Sequence, residues 1–485
     1  MRASVVILSI PALLALSAAA HADVVISSGT TANMSCAGGI CAPTAKNGVL
    51  NVTDLQNLLA SGNVEVTTTS SGVQAGDIKI DTPFAWSSSN ILTLDAYQSI
   101  RVDKPVSVTG QGGLTITTND GGKNGYFGFG AKGNVTFANL SNALSINGGS
   151  YTLVRDIATL AADVAADPSG NYAFASDYDA SGDGTYQNSA IPTEFYGNFE
   201  GLGNTISNLS LNGTGDVNAR VGFFAEISND GQSGGTIENI SLKRETVEGD
   251  GFTVGGLTGL NLGTINASHV SGSLISGFKN GGPDIGGLAG YNVGTVARSS
   301  ASVTITADAE ASAAGLVGGS EGSIVESFAV CNASSGGEAF YGGGLAGYNY
   351  GSIVQSYAAG NVTIANGVIA GGLLGTGNDK STITQSYSTT TLKHAGHKNP
   401  DVGGLIGVDH SPAGSNASTY WNLTTSKIRK RRDGAGTPYA DPGITGLTTA
   451  QLQAGLPKGF DPTVWAENPK INSGFPYLID NPPQK

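Results

Sequence analysis

An all-β solenoid, built from short strands stacked in register, is the fold class this sequence predicts, and three observations carry that prediction. Glycine makes up 73 of the 485 residues, about twice the usual share, whereas there are only 17 prolines and 13% charged residues. That profile suggests many short strands joined by tight turns rather than a linker. A short phrase, Gly-Leu-x-Gly, recurs at Gly256-Leu257-Gly259, Gly287-Leu288-Gly290, Gly315-Leu316-Gly318, Gly344-Leu345-Gly347, Gly372-Leu373-Gly375 and Gly404-Leu405-Gly407. Its leucines lie 31, 28, 29, 28 and 32 residues apart, a spacing that marks a repeat architecture. Finally, a β-branched residue follows each of the first five leucines (Ile265, Val296, Ile324, Ile353, Ile383), and three positions later always comes a serine: Ser268, Ser299, Ser327, Ser356, Ser386.

Met once, "GGLTGLNLG" passes for a phosphate cradle. No lysine and no long helix follow it, however, and nucleotide loops do not recur at a fixed period. The structural reading needs every copy. Each unit contains about three short strands that alternate apolar with small polar residues. One unit cannot bury its apolar edge alone, whereas stacked units, about 4.8 Å apart, join their leucines and isoleucines into one core. Glycine is needed where the chain turns sharply or where backbones approach too closely for a Cβ. The serines are expected to ladder between turns of the coil. A degenerate copy, "VGFFAE", starts at Val221.

Six segments follow one another. Residues 1–22 read as a secretory signal peptide, with Arg2, the apolar run 5–20 and an Ala20-His21-Ala22 cleavage site before Asp23. Residues 23–64 form an N-terminal segment in which Cys36 and Cys41 are close enough to pair, worth roughly 2 kcal/mol in the chain-entropy model. Cys331 is left over and is expected to be buried. "VTDLQNLLASGN" predicts a short helix with a Thr53/Gln56 capping box and Leu55, Leu58 and Leu59 on one face, a plug for an exposed first edge. Residues 65–150 read as β rungs without the motif. Residues 151–195 break the pattern: Ile157, Leu160, Ala161 and Val164 have helical spacing until Asp167-Pro168. Residues 196–410 carry the repeat array. In 411–485 the repeat dissolves, and the tail with Phe460, Trp465, Phe475 and Tyr477 is expected to fold over the last rung as an atypical cap.

The recurring units resemble the GLUG motif, named for its Gly-Leu-small-Gly core and found in secreted bacterial adhesins similar to filamentous haemagglutinin and beside some secreted immunoglobulin-cleaving metallopeptidases. "GVLNVTDLQNLLASGNVEVTT" (48–68), "FYGNFEGLGNTISNLSL" (195–211) and "GLTTAQLQAGLPKGFDP…INSGFPYL" (446–478) resemble segments that accompany such arrays. The resemblance implies a right-handed parallel β-helix at or beyond the cell surface, with the periplasm as the other location. It implies no particular ligand.

The net charge of −13 offers no long basic face, so nucleic acid is not an expected partner. The one basic run, Lys427 to Arg432, reads as a solvated loop, with proteolytic processing or contact with an anionic surface as alternatives. No catalytic residue and no cofactor is expected. H-E-x-x-H is absent, His394 and His397 have no acid between them, and acids in the array look isolated (Asp284, Glu321, Glu326, Asp401). Two candidate sites remain. Asp177, Asp179, Ser181 and Asp183 match the first half of a calcium loop, but Asn188 stands where a bidentate Glu is expected; calcium and a plain acidic turn are the two readings. Phe328, Tyr357 and Tyr387 align from turn to turn, either as a ligand-stacking column or as an internal ring stack. The functional expectation is a non-catalytic, adhesin-like protein that binds an extracellular glycan, matrix protein or cell surface. A passive structural or biofilm scaffold is the alternative, and a polysaccharide-active β-helix enzyme comes after both.

Overall fold

The computed structural model describes residues 22–483 apart from 230, 232–233, 277–281, 308–310, 336–340, 365–368, 395–400 and 438–440. Most of the predicted signal peptide (1–21), and His397, lie outside the described residues. The chain winds into a parallel β-solenoid of about 13 turns. Among the described residues no helix is long and apolar enough to cross a membrane.

A repeat unit passes through three faces. The glycine face carries the motif on strands such as Thr253–Gly255 and Thr258–Asn261, the second face is a short strand such as Thr264–Asn266, and the third a longer one such as His269–Ser276. Each strand pairs in parallel with its counterpart one unit on: Thr258 with Ala289, Ile265 with Val296, Val270 with Ala301. All six motif leucines are fully buried, as are the five β-branched residues of the second face. "GGLTGLNLG" is therefore a structural device.

Of the two roles glycine was expected to have in the motif, only close approach applies. No motif glycine adopts a positive φ. Instead, a Cβ on Gly287 would lie 2.2 Å from the Gly315 carbonyl oxygen, one on Gly315 2.3 Å from that of Gly344, and one on Gly344 2.2 Å from that of Gly372. The sharp corner comes just before each serine, at Ala267, Arg298, Glu326, Gln355 and Gln385, with φ of 45° to 49°. Left-handed backbone at such residues costs about 1 kcal/mol or more each and persists because the next residue locks it. The Ser268 N–H donates to Ser299 Oγ (3.1 Å), Ser299 N–H to Ser327 Oγ (3.1 Å), Ser327 N–H to Ser356 Oγ (3.2 Å) and Ser356 N–H to Ser386 Oγ (3.1 Å). Each hydroxyl in turn donates to the carbonyl two residues back, as Ser327 does to Val325 (2.8 Å). Replacing Ser327 by alanine leaves the buried Ser299 N–H without its acceptor, while the Val325 carbonyl keeps its bond from Arg298 N–H, so a loss of about 1–3 kcal/mol is expected in denaturant unfolding.

A second ladder, not anticipated from the sequence, runs along the opposite corner. Asn261 Nδ2 donates to Asn292 Oδ1 (2.7 Å), Asn292 to Ser320 Oγ (3.1 Å) and Asn349 to Ser381 Oγ (2.9 Å), all fully or almost fully buried. The recurring Asn-x-Gly words are its signal, because Asn261 Oδ1 and Asn349 Oδ1 also accept from Gly263 and Gly351 N–H.

The interior forms two successive clusters, one from Val24 to Leu202 and one from Val154 to Ile444. Helix α1 (Val52–Ser61) stands where the first turn would otherwise need a strand, beyond Phe84–Trp86, and buries Val52, Leu55 and Leu59. Its cap differs from the sequence expectation: Asn51 accepts from Thr53 N–H, and Gln56 donates to the edge carbonyl of Ala85 (2.8 Å) instead of closing a box. Cys36 and Cys41 form a disulfide across the hairpin of Met34–Ala37 and Ile40–Pro43. Helix α2 (Ile157–Ala166), capped by Asp156, follows the expected boundaries. The rest of 151–195 is less of an interruption than its pattern suggested. Thr152–Val154, Asn171–Phe174 and Asn198–Glu200 pair in parallel as early rungs of the second stack, on strands too short to show a period.

The largest departure is at the C-terminal end. Ile444–Leu447 pairs with Thr419–Asn422 as a last strand, and the short helix Thr449–Leu452 follows with its own capping box. The chain then does not stay over the last rung. It turns back and runs as a strap along the outside of the corner between the second and third faces, reaching Arg101 in the first stack, 3.6 Å from Asp480.

Candidate functional site

The first residues of the third-face strands form a column in which Phe328, Tyr357 and Tyr387 pair in register, continued by Tyr420. Their rings stack: 4.8 Å between the centroids of Phe328 and Tyr357, and 5.2 Å between those of Tyr357 and Tyr387, with planes within 10°. The column is not a ligand platform. All four rings are buried, because the strap lays Phe460, Trp465 and Leu478 against them. Tyr387 donates to the Pro476 carbonyl (2.6 Å) and Tyr420 to that of Lys458 (2.6 Å). The expectation of binding through Phe328, Tyr357 and Tyr387 is therefore corrected: the tail occupies the groove these rings line.

The calcium-loop residues are adjacent but turned to separate partners. Asp177 Oδ1 accepts from Thr205 N–H (2.7 Å), Asp179 Oδ1 from Ser181 N–H (3.0 Å) and Asn208 Nδ2 (2.8 Å), and Asp183 from the hydroxyls of Tyr178 and Tyr186 (both 2.6 Å). Among the described residues no group of three or more His, Cys, Asp or Glu side chains is arranged to hold a metal ion. Lys427, Arg429 and Lys430 of the basic run are exposed. Cys331 is buried, which pushes its thiol up to about 12.

Two acids that the sequence left apart meet on adjacent rungs: Glu200 pairs in register with Glu238. Glu200 is buried, accepting from Leu202 N–H (2.8 Å) and Asn239 Nδ2 (3.1 Å), while Glu238 accepts from Asn266 Nδ2 (2.7 Å). Burial and the neighbouring Glu238 raise the Glu200 carboxyl well above the ordinary range. A hydrolytic pair needs room for substrate between its carboxyls; here Glu200 is buried, Glu238 is half-buried, and each is held by an asparagine amide.

An open surface lies on the glycine face. There the outward column reads Leu260, Tyr291, Gly319, Tyr348, Thr376. Tyr291 and Tyr348 lean together across Gly319, with centroids 6.2 Å apart, and Tyr350 meets Tyr348 edge-on, also at 6.2 Å. Gly319 makes this possible, because a Cβ there would lie 2.3 Å from the Tyr348 ring. Tyr348 donates to Asp284 Oδ2 (2.8 Å) and Tyr291 to Glu321 Oε1 (2.6 Å). Burial pushes the Asp284 carboxyl up to about 7 despite the Tyr348 bond. Tyr341 and Tyr350 are exposed large rings on the same face. The result is a ridge of aromatic surfaces interleaved with oriented hydroxyls and carboxyls, the composition suited to stacking on and hydrogen-bonding a polyhydroxylated ligand.

No family model matches the chain, and no curated protein matches it. Among solved structures it is similar to an IgA1 protease, at 20% identity and a TM-score of 0.39, over 55% of this chain and 22% of that one. The chain thus spans about a fifth of that protein's length. It is also similar to a Bacteroides ovatus protein provisionally assigned as an immunoglobulin A1 protease, at 18% identity and a TM-score of 0.40, over 68% of this chain and 92% of that one.

The tyrosine ridge has a weak sequence signal. Tyr291 and Tyr348 stand at the same place in the phrase, Gly-Leu-Ala-Gly-Tyr-Asn, in two copies separated by one that has glycine there. Periodicity predicts the column; only the coil shows which residues of a copy face outward.

Proposed function

We propose that this chain is an exported, non-catalytic repeat protein of adhesin-like type, akin to the GLUG-bearing proteins it resembles in sequence, and that it binds an extracellular glycan or a cell-surface partner through the glycine face. The observation that carries this reading is the ridge of Tyr291, Tyr348 and Tyr350 with Asp284 and Glu321. A passive scaffold is the second reading, favoured by the two buried polar ladders, which stiffen the coil along its length.

Binding of the purified protein to a glycan array and to cells separates the two. Tyr291→Ala and Tyr350→Ala are each expected to weaken binding about tenfold, the loss of roughly one stacked ring, with an unchanged melting midpoint. Absence of binding to every glycan and cell type tested leaves the scaffold reading.

A further inference from the structure

The groove that the strap fills is not filled along its whole length. Under the strap the column is aromatic; further toward the first stack the same column continues as Ser300, His269 and Ser241. There the strap is pinned by Asn481, whose Nδ2 donates to the carbonyls of Ser299 (3.1 Å) and Glu326 (3.0 Å). Beyond it lies a cleft of about 280 Å³ between the two stacks, walled by Arg101, Tyr126, Lys132, Lys243, His269 and Arg298.

In an acidic protein this is an unusual concentration of cations. Arg101, Lys132, Lys243 and Arg298 face the cleft with two carboxylates, Asp177 and Asp480; Arg101 is also paired with Asp103 (2.8 Å), and Glu238 and Glu326 lie near Arg298. Lys132 and Lys243 are exposed, and among the described residues neither they nor Arg298 make an ion pair. Arg298 is held with its guanidinium 4.8 Å from the Tyr126 ring centroid. Burial holds His269 down to about 4, so its imidazole is neutral at pH 7 and adds hydrogen-bonding capacity instead of charge. The cleft thus presents the ammonium groups of Lys132 and Lys243, the guanidinium of Arg298, polar side chains such as His269, Asn134 and Ser241, and one aromatic ring. It also already takes a carboxylate: Asp480 of the strap lies 3.6 Å from Arg101.

We propose that this cleft is a binding site for a carboxylate-bearing sugar, a uronate unit, held by Arg101, Lys132, Lys243 and Arg298, with the strap's Asp480 as its internal competitor. The site is separate from the tyrosine ridge. Its ligand carries the anion that Lys132, Lys243 and Arg298 lack and hydroxyls to bond the polar side chains lining the cleft, among them Asn134, Thr205, Ser241 and His269.

Calorimetric titration of the full chain with digalacturonate tests this, with the carboxyl-reduced neutral disaccharide and sodium sulfate as comparison ligands. Saturable binding of digalacturonate is expected, with neither comparison ligand matching it. The double variant Lys132→Ala/Lys243→Ala, both at exposed positions, is expected to bind at least tenfold more weakly with an unchanged melting midpoint. Asp480→Asn is expected to bind at least threefold more tightly, and Tyr350→Ala to bind as the parent does, which keeps this site distinct from the ridge. The proposal is overturned by the absence of saturable binding in both the parent and Asp480→Asn, by equal binding of the neutral sugar or of sulfate, or by a lysine double variant that binds like the parent. An Asp480→Asn variant that binds no tighter overturns the competitor role.

Discussion

Replacing Gly344 by valine is expected to abolish the cooperative solenoid, a loss of more than about 4 kcal/mol, at the extreme end of single-substitution effects. Gly344 opens the fourth copy of the motif. A Cβ there would lie 2.2 Å from the Gly372 carbonyl oxygen, 2.6 Å from Thr390 Oγ1 and 2.8 Å from the Ala358 Cβ. The first of these is backbone on the next turn, so no rotamer change relieves it. Moving that carbonyl disturbs a stack in which Leu345 N–H donates to Leu373 O (2.9 Å) and Leu373 N–H to Leu405 O (2.9 Å). The clash therefore propagates in both directions along the coil. Gly62→Ala is the matched control: nothing lies within 4 Å of its Cβ position, and its φ of −176° suits any residue. Limited proteolysis and thermal melting of the two variants check the contrast. A Gly344→Val protein that melts like the parent would show that the motif glycines are not there for close approach.

The second large effect concerns Glu245, a carboxyl aimed into the core. Its interior column reads Glu245, Gly272, Val303, Cys331, Gly360, so it is the one ionisable acid in a line of small or apolar positions. A bulge beside it, with Arg244 at φ 55°, turns it inward. The residue is 2% exposed, and neither carboxyl oxygen has a hydrogen-bond partner. Burial pushes its pKa up from 4.5 to about 8. The folded chain thus holds this proton more tightly than the unfolded one. Its contribution to stability is fully present below about pH 4.5 and is lost as pH rises through about 8. Across that window the loss is on the order of 4 kcal/mol. Glu245→Gln keeps the shape and removes the titration. It is expected to match the parent near pH 4.5 and to exceed it progressively up to pH 9 in urea unfolding. Asp284 and the Glu200–Glu238 pair shift in the same direction but are common to both proteins, so the difference isolates Glu245. Parallel pH profiles for the two would remove the argument.

Much of the coil was legible in the residue order, because its signals are redundant. The buried leucines, the serine ladder and the second-face β-branched residues each appear five or six times, so chance agreement at one copy does not mislead. Helix α2 was legible because the apolar spacing and Asp167-Pro168 agree locally. The Cys36–Cys41 pair was legible from proximity alone. The cap of α1 was misread, since Asn51 and Thr53 are both acceptable caps and only the backbone entry angle distinguishes them.

The candidate sites were less legible, for a different reason. An aromatic at the head of a third-face strand points away from the coil whether it meets water, a ligand or another part of the chain. What decided its fate is the docking of the strap, through Phe460, Trp465, Leu478 and bonds such as Tyr387 to Pro476, 89 residues apart, with no copy elsewhere to reveal it. The cleft depends likewise on Arg101 from the first stack meeting Lys243 and Arg298 from the second and Asp480 from the strap.

The order of residues by itself determined that this chain coils, what its turns contain and where glycine is obligatory, since those interactions recur at one offset and reinforce one another. Only the tertiary structure decided which surface stays open, because a unique long-range contact leaves no periodic trace: the strap closes the groove over Phe328, Tyr357 and Tyr387 and leaves the Tyr291–Tyr348 ridge and the cationic cleft accessible.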